Sequence, residues 1–289
     1  MHRRLLKNLR KIGILLLAIG LTMALTLHIK MNLKPERNDV TIFLDGPEWS
    51  GEDLRIAVLG DLHLAPNDND FEKLSAILGE VSKADPDLIV FVGDYTIHRD
   101  GALDIDQHRA RILKLLKSVG PLPYAAVLGN YETYSWHHRW MREARYHDVN
   151  VLDNEVQIIE TRRGPVCVRG LSDFWTKQFE YVAFSKACDG LRKFSITHDP
   201  AGAFQPKMDG LVIAGHTHCG QLSLPVIGPI WVPTTAPKAA HCGLYRDNTR
   251  TVFVTSGIGT SILPIRFGAP AQWDLLVIKF RNFKHTVAG

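Results

Sequence analysis

Five short apolar runs of the sequence each end at a polar side chain that can bind a metal ion. The runs and the side chains that follow them are 54–59 with Asp61 and His63, 88–92 with Asp94, 124–128 with Asn130, 194–197 with His198, and 211–214 with His216 and His218. These carboxylates, imidazoles and one amide oxygen form a mixed nitrogen and oxygen ligand set without thiolate. Such a set favours Mn, Fe or Zn and suits Mg alone poorly.

Seven candidate ligands exceed the needs of a single ion, which takes three or four protein ligands and keeps one position open. They suit two ions that share one carboxylate. Two ions roughly 3.5–4 Å apart can bind phosphoryl oxygens, generate hydroxide and stabilise the leaving oxygen. The set therefore predicts two divalent ions, with Mn preferred over Fe or Zn, acting on a phosphate ester. Each motif alone also fits an ordinary turn or loop, so the prediction depends on all five occurring together.

The elements that must position these side chains follow from the spacing of apolar residues. The five runs, and further runs at 166–168, 251–255 and 274–280, are continuous and rich in β-branched residues, which is typical of strands buried on both faces. Residues 71–84 and 107–119 repeat apolar positions with a helical period. Strand and helix alternation predicts an α/β fold, in which ligands bind at the carboxyl ends of the strands.

The ordered motifs resemble those of the calcineurin-like metallophosphoesterase superfamily over residues 53–280. They are Asp61-Leu62-His63, Gly93-Asp94, Gly129-Asn130, the lone His198 and Gly215-His216-Thr217-His218. The resemblance implies two packed mixed β-sheets flanked by helices. It also implies one metal held by Asp61, His63, Asp94 and His218, and a second held by Asp94, Asn130, His198 and His216, with Asp94 bridging. Asn130, His198 and the residue at position 131 are expected to act in catalysis.

Two positions depart from the family pattern. Ile97 stands where a second aspartate usually supports the metal ligands, and Tyr131 replaces a histidine that protonates the leaving group. Tyrosine, with a reference pKa near 10, is a poor proton donor at neutral pH. Three consequences are open: another acid such as His137 or His138, a preference for good leaving groups, or weak activity. We favour the second, since relatives that hydrolyse UDP-2,3-diacylglucosamine in lipid A synthesis also lack that histidine.

The segments 215–221, 224–228, 257–261 and 263–268 are similar to those of the bacterial membrane-associated branch of this superfamily. The expected function is therefore hydrolysis of a phosphodiester or pyrophosphate, with a lipid-linked substrate as one interpretation. A phosphomonoesterase with the same metals and a non-catalytic metal-binding scaffold are the alternatives. The apolar segment 221–236 fits either an acyl groove or bilayer contact, or a loop packed on the core. Trp136 and Trp140 fit either a substrate cap or an amphipathic helix.

The N-terminus has the composition of a membrane anchor. Residues 1–11 contain five basic residues and no acid, and residues 12–29 contain no charged side chain. As a helix, this apolar run would reach roughly 27 Å, close to the thickness of a hydrocarbon core. We expect an uncleaved signal anchor in the cytoplasmic membrane, with the catalytic domain outside the cytoplasm. A cleaved signal peptide, with a weak site at 24–26, is the alternative, and it also exports the domain.

The basic net charge of +4 belongs to this anchor. Residues 1–37 hold eight of the 34 basic residues but one of the 30 acidic residues, which leaves the remainder at −3. That distribution gives no support to nucleic-acid binding. We therefore expect an anchor over 1–37, a linker over 38–52 and a catalytic domain over 53–289. The four cysteines, Cys167, Cys188, Cys219 and Cys242, show neither a Cys-x-x-Cys spacing nor a cysteine-dense framework. Isolated cysteines of a large domain are usually buried thiols, but an exported domain also permits disulfides, and no pairing is predicted.

Overall fold

The computed structural model describes residues 2–31, 35–97, 105–224 and 226–280. Lys34 in the predicted anchor, and residues 281–289 at the end of the predicted catalytic domain, lie outside the described residues. The chain begins with a long helix, α1 (His2–Met31). Its stretch Lys7–Thr26, of mean hydropathy 1.7, is long and apolar enough to cross a bilayer, although a signal sequence would meet the same criterion.

Eleven strands form two mixed sheets. The first sheet contains, in spatial order, β1 (Glu36–Leu44), β13 (Gln272–Phe280), β2 (Leu54–Leu59), β3 (Leu88–Phe91) and β4 (Tyr124–Ala126). The second contains β11 (Gly243–Arg246), β12 (Arg250–Val254), β8 (Gly210–Ala214), β7 (Arg192–Thr197), β6 (Val166–Leu171) and β5 (Glu155–Ile159). A small hairpin pairs β9 (Ser223–Leu224) with β10 (Gly228–Pro229).

Side chains from the facing sides of both sheets form a common core. Val58 and Val90 of the first sheet lie in one buried cluster with Phe194 and Ile213 of the second. The opposite face of the first sheet packs against helices α2 (Asp68–Lys83), α3 (Ile105–Lys117) and α5 (His137–Tyr146). The short helix α4 (Asn130–Tyr134) precedes α5. The predicted α/β fold of two packed, helix-flanked sheets is thus confirmed. The strands could be predicted because strands that are covered on both faces have continuous apolar sequences.

The first part of the segment 38–52, which was predicted as a linker, lies in the first sheet, since residues 38–44 belong to β1 and residues 45–52 connect β1 to β2. Strand β1 pairs in parallel with β13 over its whole length, and it begins inside the segment assigned to the anchor. Ile42 and Leu44 are buried, whereas Phe43 between them is exposed. An edge strand covered on one face needs few apolar residues, so its sequence resembled a polar loop.

The cysteines are not buried thiols. Cys167 forms a disulfide with Cys188, and Cys219 forms one with Cys242. Each bridge joins a strand or site loop to a segment more than twenty residues away. Such proximity is created by tertiary folding, and the spacing of cysteines along the chain cannot reveal it.

Candidate metal centre

The seven side chains expected to bind metal meet at one edge of the two sheets. They are Asp61, His63, Asp94, Asn130, His198, His216 and His218, and all are buried. They follow the carboxyl ends of β2, β3, β4, β7 and β8, which are strands of both sheets. The seven side chains therefore lie where their positions after the strands predict, at the carboxyl ends of the strands.

Tight backbone turns direct these side chains inward. Asp61, His63, Asp94, His216 and His218 all have positive φ angles, between 45° and 68°. Non-glycine residues adopt this left-handed region at an energetic cost, and such outliers concentrate at functional sites. Gly129 makes room for the site, because a Cβ there would lie 2.3 Å from Oδ1 of Asp94. The backbone is thus built around the ligand side chains.

One cluster contains Asp61, His63 and His218. The Nε2 atoms of the two histidines are 3.0 Å apart, and Oδ1 of Asp61 lies 3.6 Å from Nε2 of His218. The backbone N–H of His216 donates to both carboxylate oxygens of Asp61, which fixes its orientation. Two imidazole nitrogens facing each other beside a carboxylate are a donor arrangement that fits a divalent cation.

The second cluster contains Asp94, His198 and His216, with Asn130 beside it. Nε2 of His198 lies 3.0 Å from Oδ1 of Asn130, 3.1 Å from Nδ1 of His216 and 3.3 Å from Oδ2 of Asp94. The Nδ1–H of His198 donates to the carbonyl of Val92 at 2.7 Å, which leaves Nε2 directed at the cluster. Oδ2 of Asp94 is also 3.6 Å from Nε2 of His63, so this carboxylate lies between the two clusters.

Burial keeps three of the four imidazoles in their neutral, ligand-competent form. Burial lowers the pKa of His63 to about 4, and it lowers the pKa values of His216 and His218 as well. The positive charge of Arg266 contributes to the low pKa of His218, whose Nδ1 lies 2.9 Å from Nη2 of that arginine. Neutral imidazoles have the free lone pair that metal binding requires.

The acidic groups and His198 are electrostatically coupled. Burial raises the pKa of Asp61 to about 7. Burial acts in the same direction on Asp94, but the adjacent His198 holds the pKa of that carboxyl far below its usual range. Burial would lower the pKa of His198, yet the charge of Asp94 raises it well above normal. Asp94 thus favours a proton on His198, and a metal ion bound by His198 would have to displace that proton.

Glu132 is a positioning residue that the sequence reasoning did not single out. Its carboxylate is buried and accepts four backbone N–H groups, those of Asp94, Tyr95, Thr96 and Gly129, at 2.8–3.2 Å. Burial, reinforced by the charge of Asp94, raises the pKa of Glu132 to about 7. A glutamate three residues after the helix-capping glycine is the signal that could have identified it.

Arg266 is a second residue that the sequence reasoning missed. Its guanidinium is buried and donates to the carbonyls of Ser256, Gly257 and Gly259 and to the hydroxyl of Ser256. It thereby closes the loop that follows β12 and places that loop against His218. A sequence signal was present, because Arg266 is the only charged residue between Arg250 and Asp274.

A cavity of about 370 Å³ opens beside the clusters. It exposes Asp94, Asn130, His216 and His218 on one side, and the remaining walls are mostly apolar or aromatic. Those walls are Tyr131, Tyr134, Trp175, Leu222, Ile230, Trp231, Pro233, Ile262 and Leu263, with Thr217, Gly220, Gln221 and Ser261. No lysine or arginine is among these lining residues.

Tyr131 lies in the centre, and the other proposed acids do not line the cavity. The ring of Tyr131 contacts that of His63 at 4.6 Å, and its hydroxyl lies 3.0 Å from Oγ of Ser261. His137 instead pairs with Asp153 at 3.0 Å, and His138 is exposed on α5. Ile97, at the other departure from the family pattern, is 41% exposed.

Burial bears on the two alternatives left open for neighbouring segments. Trp140 is fully buried on α5 and donates to Oγ of Ser135, so this helix packs on the domain, whereas Trp136 before it is exposed. The segment 221–236 is packed on the domain only in part, because Ala236 is buried whereas Val226, Ile227 and Trp231 are exposed. Leu222, Ile230, Trp231 and Pro233 of this segment line the cavity.

Comparisons with known proteins agree with this geometry. A family model described as calcineurin-like phosphoesterase matches residues 54–220. The chain is 27% identical to an uncharacterised metallophosphoesterase of Bacillus subtilis, YkuE, over 79% of the chain and 80% of that protein. It is 26% identical to phosphodiesterase YaeI of Escherichia coli, over 71% and 75% of the two chains. It is also 27% identical to a zebrafish transmembrane protein with a metallophosphoesterase domain, over 91% of the chain but 62% of that protein.

Proposed function

The chain belongs to the calcineurin-like phosphoesterase family, and on that premise we propose that it is a membrane-anchored, two-metal phosphohydrolase. The bond that it cleaves is a phosphodiester or pyrophosphate. The observation that carries the proposal is the position of Asp94, whose carboxylate lies between two histidine-containing clusters at the mouth of a cavity. A scaffold that only binds metal has no need of a cavity open to both clusters.

Each cluster fits one divalent ion by its donor chemistry. Asp61, His63 and His218 would hold one ion, Asn130, His198 and His216 would hold the other, and Asp94 would be shared. Nitrogen and oxygen donors without thiolate suit Mn, Fe or Zn, and Mn is the first ion to test. When bound, such ions lower the pKa of water and withdraw charge from phosphoryl oxygens.

The protein contributes positioning and the exclusion of water. Val92 orients His198, and the backbone N–H of Tyr131 orients Asp94 by donating to its Oδ1 at 2.9 Å. The aromatic and aliphatic cavity walls would surround the alcohol portion of the substrate. Because the lining residues include no lysine or arginine, the negative charge of the phosphoryl group depends on the metal ions for compensation.

The position of Tyr131 supports a preference for good leaving groups. Substitution Tyr131→His places an ionisable imidazole between the centre and the cavity, where it can protonate a leaving oxygen. We expect turnover of an alkyl phosphodiester to rise about tenfold or more, with bis-p-nitrophenyl phosphate changing little. Steady-state rates with both diesters measure this.

The matched control is Tyr134→His. Tyr134 lines the same cavity, whereas the ring that contacts His63 is that of Tyr131. The control variant should change neither rate selectively. Equal acceleration of both diesters by Tyr131→His would remove the leaving-group argument.

The cellular location is proposed from the anchor and the disulfides. The apolar helix follows a basic N-terminus, which favours a single-pass anchor in the cytoplasmic membrane with the domain outside the cytoplasm. Two disulfides are compatible with an oxidising compartment and unusual in a reducing cytosol. A UDP-2,3-diacylglucosamine-like or other lipid-linked substrate remains part of this proposal.

The decisive assay uses the full chain in detergent micelles with Mn²⁺, Fe²⁺ or Zn²⁺. We expect turnover of bis-p-nitrophenyl phosphate that exceeds that of the Asp61→Ala/His216→Ala double variant by about 100-fold or more. Metal analysis should give two equivalents for the wild type and fewer for the double variant. If the wild type and the double variant gave equal rates with every metal, the proposed enzyme activity would be contradicted and a metal-binding scaffold supported. Faster cleavage of p-nitrophenyl phosphate would identify a phosphomonoesterase.

A further inference from the structure

Two loops beside the metal centre form an exposed apolar rim. We define the rim by six side chains: Val226, Ile227, Ile230, Trp231, Ile262 and Leu263. Four of them are 59–73% exposed, Val226 is fully exposed and Leu263 is 47% exposed. The segments that carry them, 221–236 and 258–265, contain no charged residue. A contiguous apolar surface of this kind marks an interaction site.

Hydrogen bonds and a disulfide hold the two loops of the rim in place. The side chain of Gln221 donates to the carbonyls of Ser261 and Leu263 and accepts from the N–H of Ser261. The N–H of Ser223 donates to the carbonyl of Phe267 at 2.7 Å. The disulfide Cys219–Cys242 closes the base of the first loop directly after the candidate ligand His218. These bonds hold apolar side chains in solvent that would otherwise collapse onto the domain.

The rim is continuous with the site. Ile230, Trp231 and Leu263 line the same cavity as His216 and His218. A molecule that contacts the rim therefore reaches the metal centre through a cavity whose lining is mostly apolar or aromatic. The absence of lysine and arginine from the lining residues suits a substrate whose larger part is apolar.

The candidate membrane helix joins the domain at this same edge. Strand β13 runs antiparallel to β2, so β13 begins at the edge where β2 delivers Asp61. Strand β1 is parallel to β13, and Glu36 pairs with Gln272 at that edge. The N–H of Gln272 donates to the carbonyl of Gly257, and a Cβ on Gly257 would lie 2.5 Å from Cβ of Asp61. Glu36 is thus about two strand spacings, roughly 10 Å, from the end of β2.

The connection to the membrane is short. Helix α1 ends at Met31 and β1 begins at Glu36, so the intervening backbone can span at most about 18 Å. The helix continues for five residues beyond Thr26, the end of the candidate span, which adds about 8 Å. Glu36 is therefore held within roughly 25 Å of the hydrocarbon core, and the end of β2 beside the metal centre within roughly 35 Å.

From these observations we propose that the apolar rim docks on the lipid bilayer and that the centre draws its phosphoester from the membrane. The substrate is an amphiphile whose phosphoryl group meets the metal clusters while its apolar chain lies along Ile230, Trp231 and Leu263. The chemistry at the centre rests on the proposed function, whereas the docking does not. An uncharged rim with an exposed tryptophan suits the interfacial region of a bilayer.

Tryptophan fluorescence tests the docking without any catalysis. All six tryptophans of the chain lie after residue 48, outside the candidate span, so quenching by brominated acyl chains reports on the domain alone. In phosphatidylcholine nanodiscs with one full-length chain each, we expect brominated lipid to quench the wild type. About half or more of that quenching should disappear in Trp231→Phe, and none in Trp49→Phe, since Trp49 is buried after the far end of β1. Absence of wild-type quenching would overturn the proposal.

A second experiment tests the supply of substrate from the bilayer. The Val226→Asp/Ile227→Asp variant changes rim side chains that do not line the cavity, and Ile158→Asp is the matched control on β5. Each is assayed on a p-nitrophenyl diester of phosphatidic acid in the nanodisc and on soluble bis-p-nitrophenyl phosphate. We expect the rim variant to lose about tenfold on the lipid ester alone.

Three results would overturn this inference. Equal losses on both esters would give the rim a merely structural role. Unchanged rates on both would remove the link between the rim and the substrate. The third result has two parts: the wild type forms a dimer in detergent that the rim variant does not form, and the wild type shows no quenching. The rim would then bind a second copy of the chain and not the bilayer. Quenching at Trp231 with no turnover of either ester by the wild type would instead refute the proposed function and leave the docking intact.

Discussion

Replacement of Asp94 by alanine is expected to lower the turnover of bis-p-nitrophenyl phosphate by about 1,000-fold or more. The physical reason is its position: Oδ2 lies 3.6 Å from Nε2 of His63 in one cluster and 3.3 Å from Nε2 of His198 in the other. The other candidate carboxylate, Asp61, approaches an imidazole nitrogen of one cluster only, that of His218 at 3.6 Å. The loss of Asp94 removes a ligand from each ion and leaves Asp61 as the one candidate carboxylate beside the four imidazoles. Metal analysis should therefore find fewer than two equivalents per chain.

The control is a second buried aspartate at the other end of the same strand. Asp87 precedes β3, as Asp94 follows it, and it accepts the backbone N–H of Arg55 and a side-chain N–H of Arg162. Asp87→Ala should lower the free energy of unfolding by about 1–3 kcal/mol and leave the metal stoichiometry at two. Two bound equivalents and near-normal turnover in Asp94→Ala would show that this carboxylate is not shared.

The sequence predicts the centre of the fold well because packing and sequence pattern agree there. Strand β2 was expected at 54–59 and is found at those residues, since both of its faces are covered and every second residue need not be polar. Helix α2 was expected from Phe71 and begins at Asp68, where Asn67 caps it by accepting the N–H of Asp70. The apolar period marks the buried face of a helix, whereas the first turn is specified by capping residues.

The sheet edges and the cross-links were beyond the sequence pattern. Strands β1 and β5 lie at sheet edges, and their exposed residues alternate with buried ones too weakly to separate them from loops. The disulfide Cys219–Cys242 depends on where the loop after β8 returns to the second sheet. A contact of this kind forms only in the tertiary structure, so the sequence pattern does not predict it.

At the candidate site, the residue types and their strand-end positions identified the side chains that the fold brings together. Their supporting residues were missed, because Glu132 and Arg266 act through backbone groups. The capping-box position of Glu132 marks it as a helix-capping residue, but the spacing does not show that its carboxylate also accepts the N–H groups of the Asp94 loop. That role follows from an account of where the buried backbone donors of the site loops are satisfied.

Glu132→Ala is accordingly expected to have the largest effect on stability. It removes the acceptor of the buried N–H groups of Asp94, Tyr95 and Gly129, at about 1–3 kcal/mol each and with incomplete additivity. We expect the free energy of unfolding to fall by at least about 3 kcal/mol, measured by thermal or chemical denaturation in detergent. Loss of these bonds also releases the loop that carries Asp94, so metal affinity should fall with stability.

Glu132→Gln separates positioning from folding. The amide keeps one acceptor oxygen but directs an NH₂ group at two backbone donors, so the variant should fold with an intermediate loss of stability. We expect titration calorimetry with Mn²⁺ to show at least about tenfold weaker binding, as for other residues that orient metal ligands. Glu143→Ala, on α5 beside Arg142 and His147, is the control that should leave metal affinity unchanged. If Glu132→Gln were less stable but bound metal with wild-type affinity, Glu132 would contribute to folding but not to metal binding. The N–H of Tyr131 would then be the group that positions Asp94.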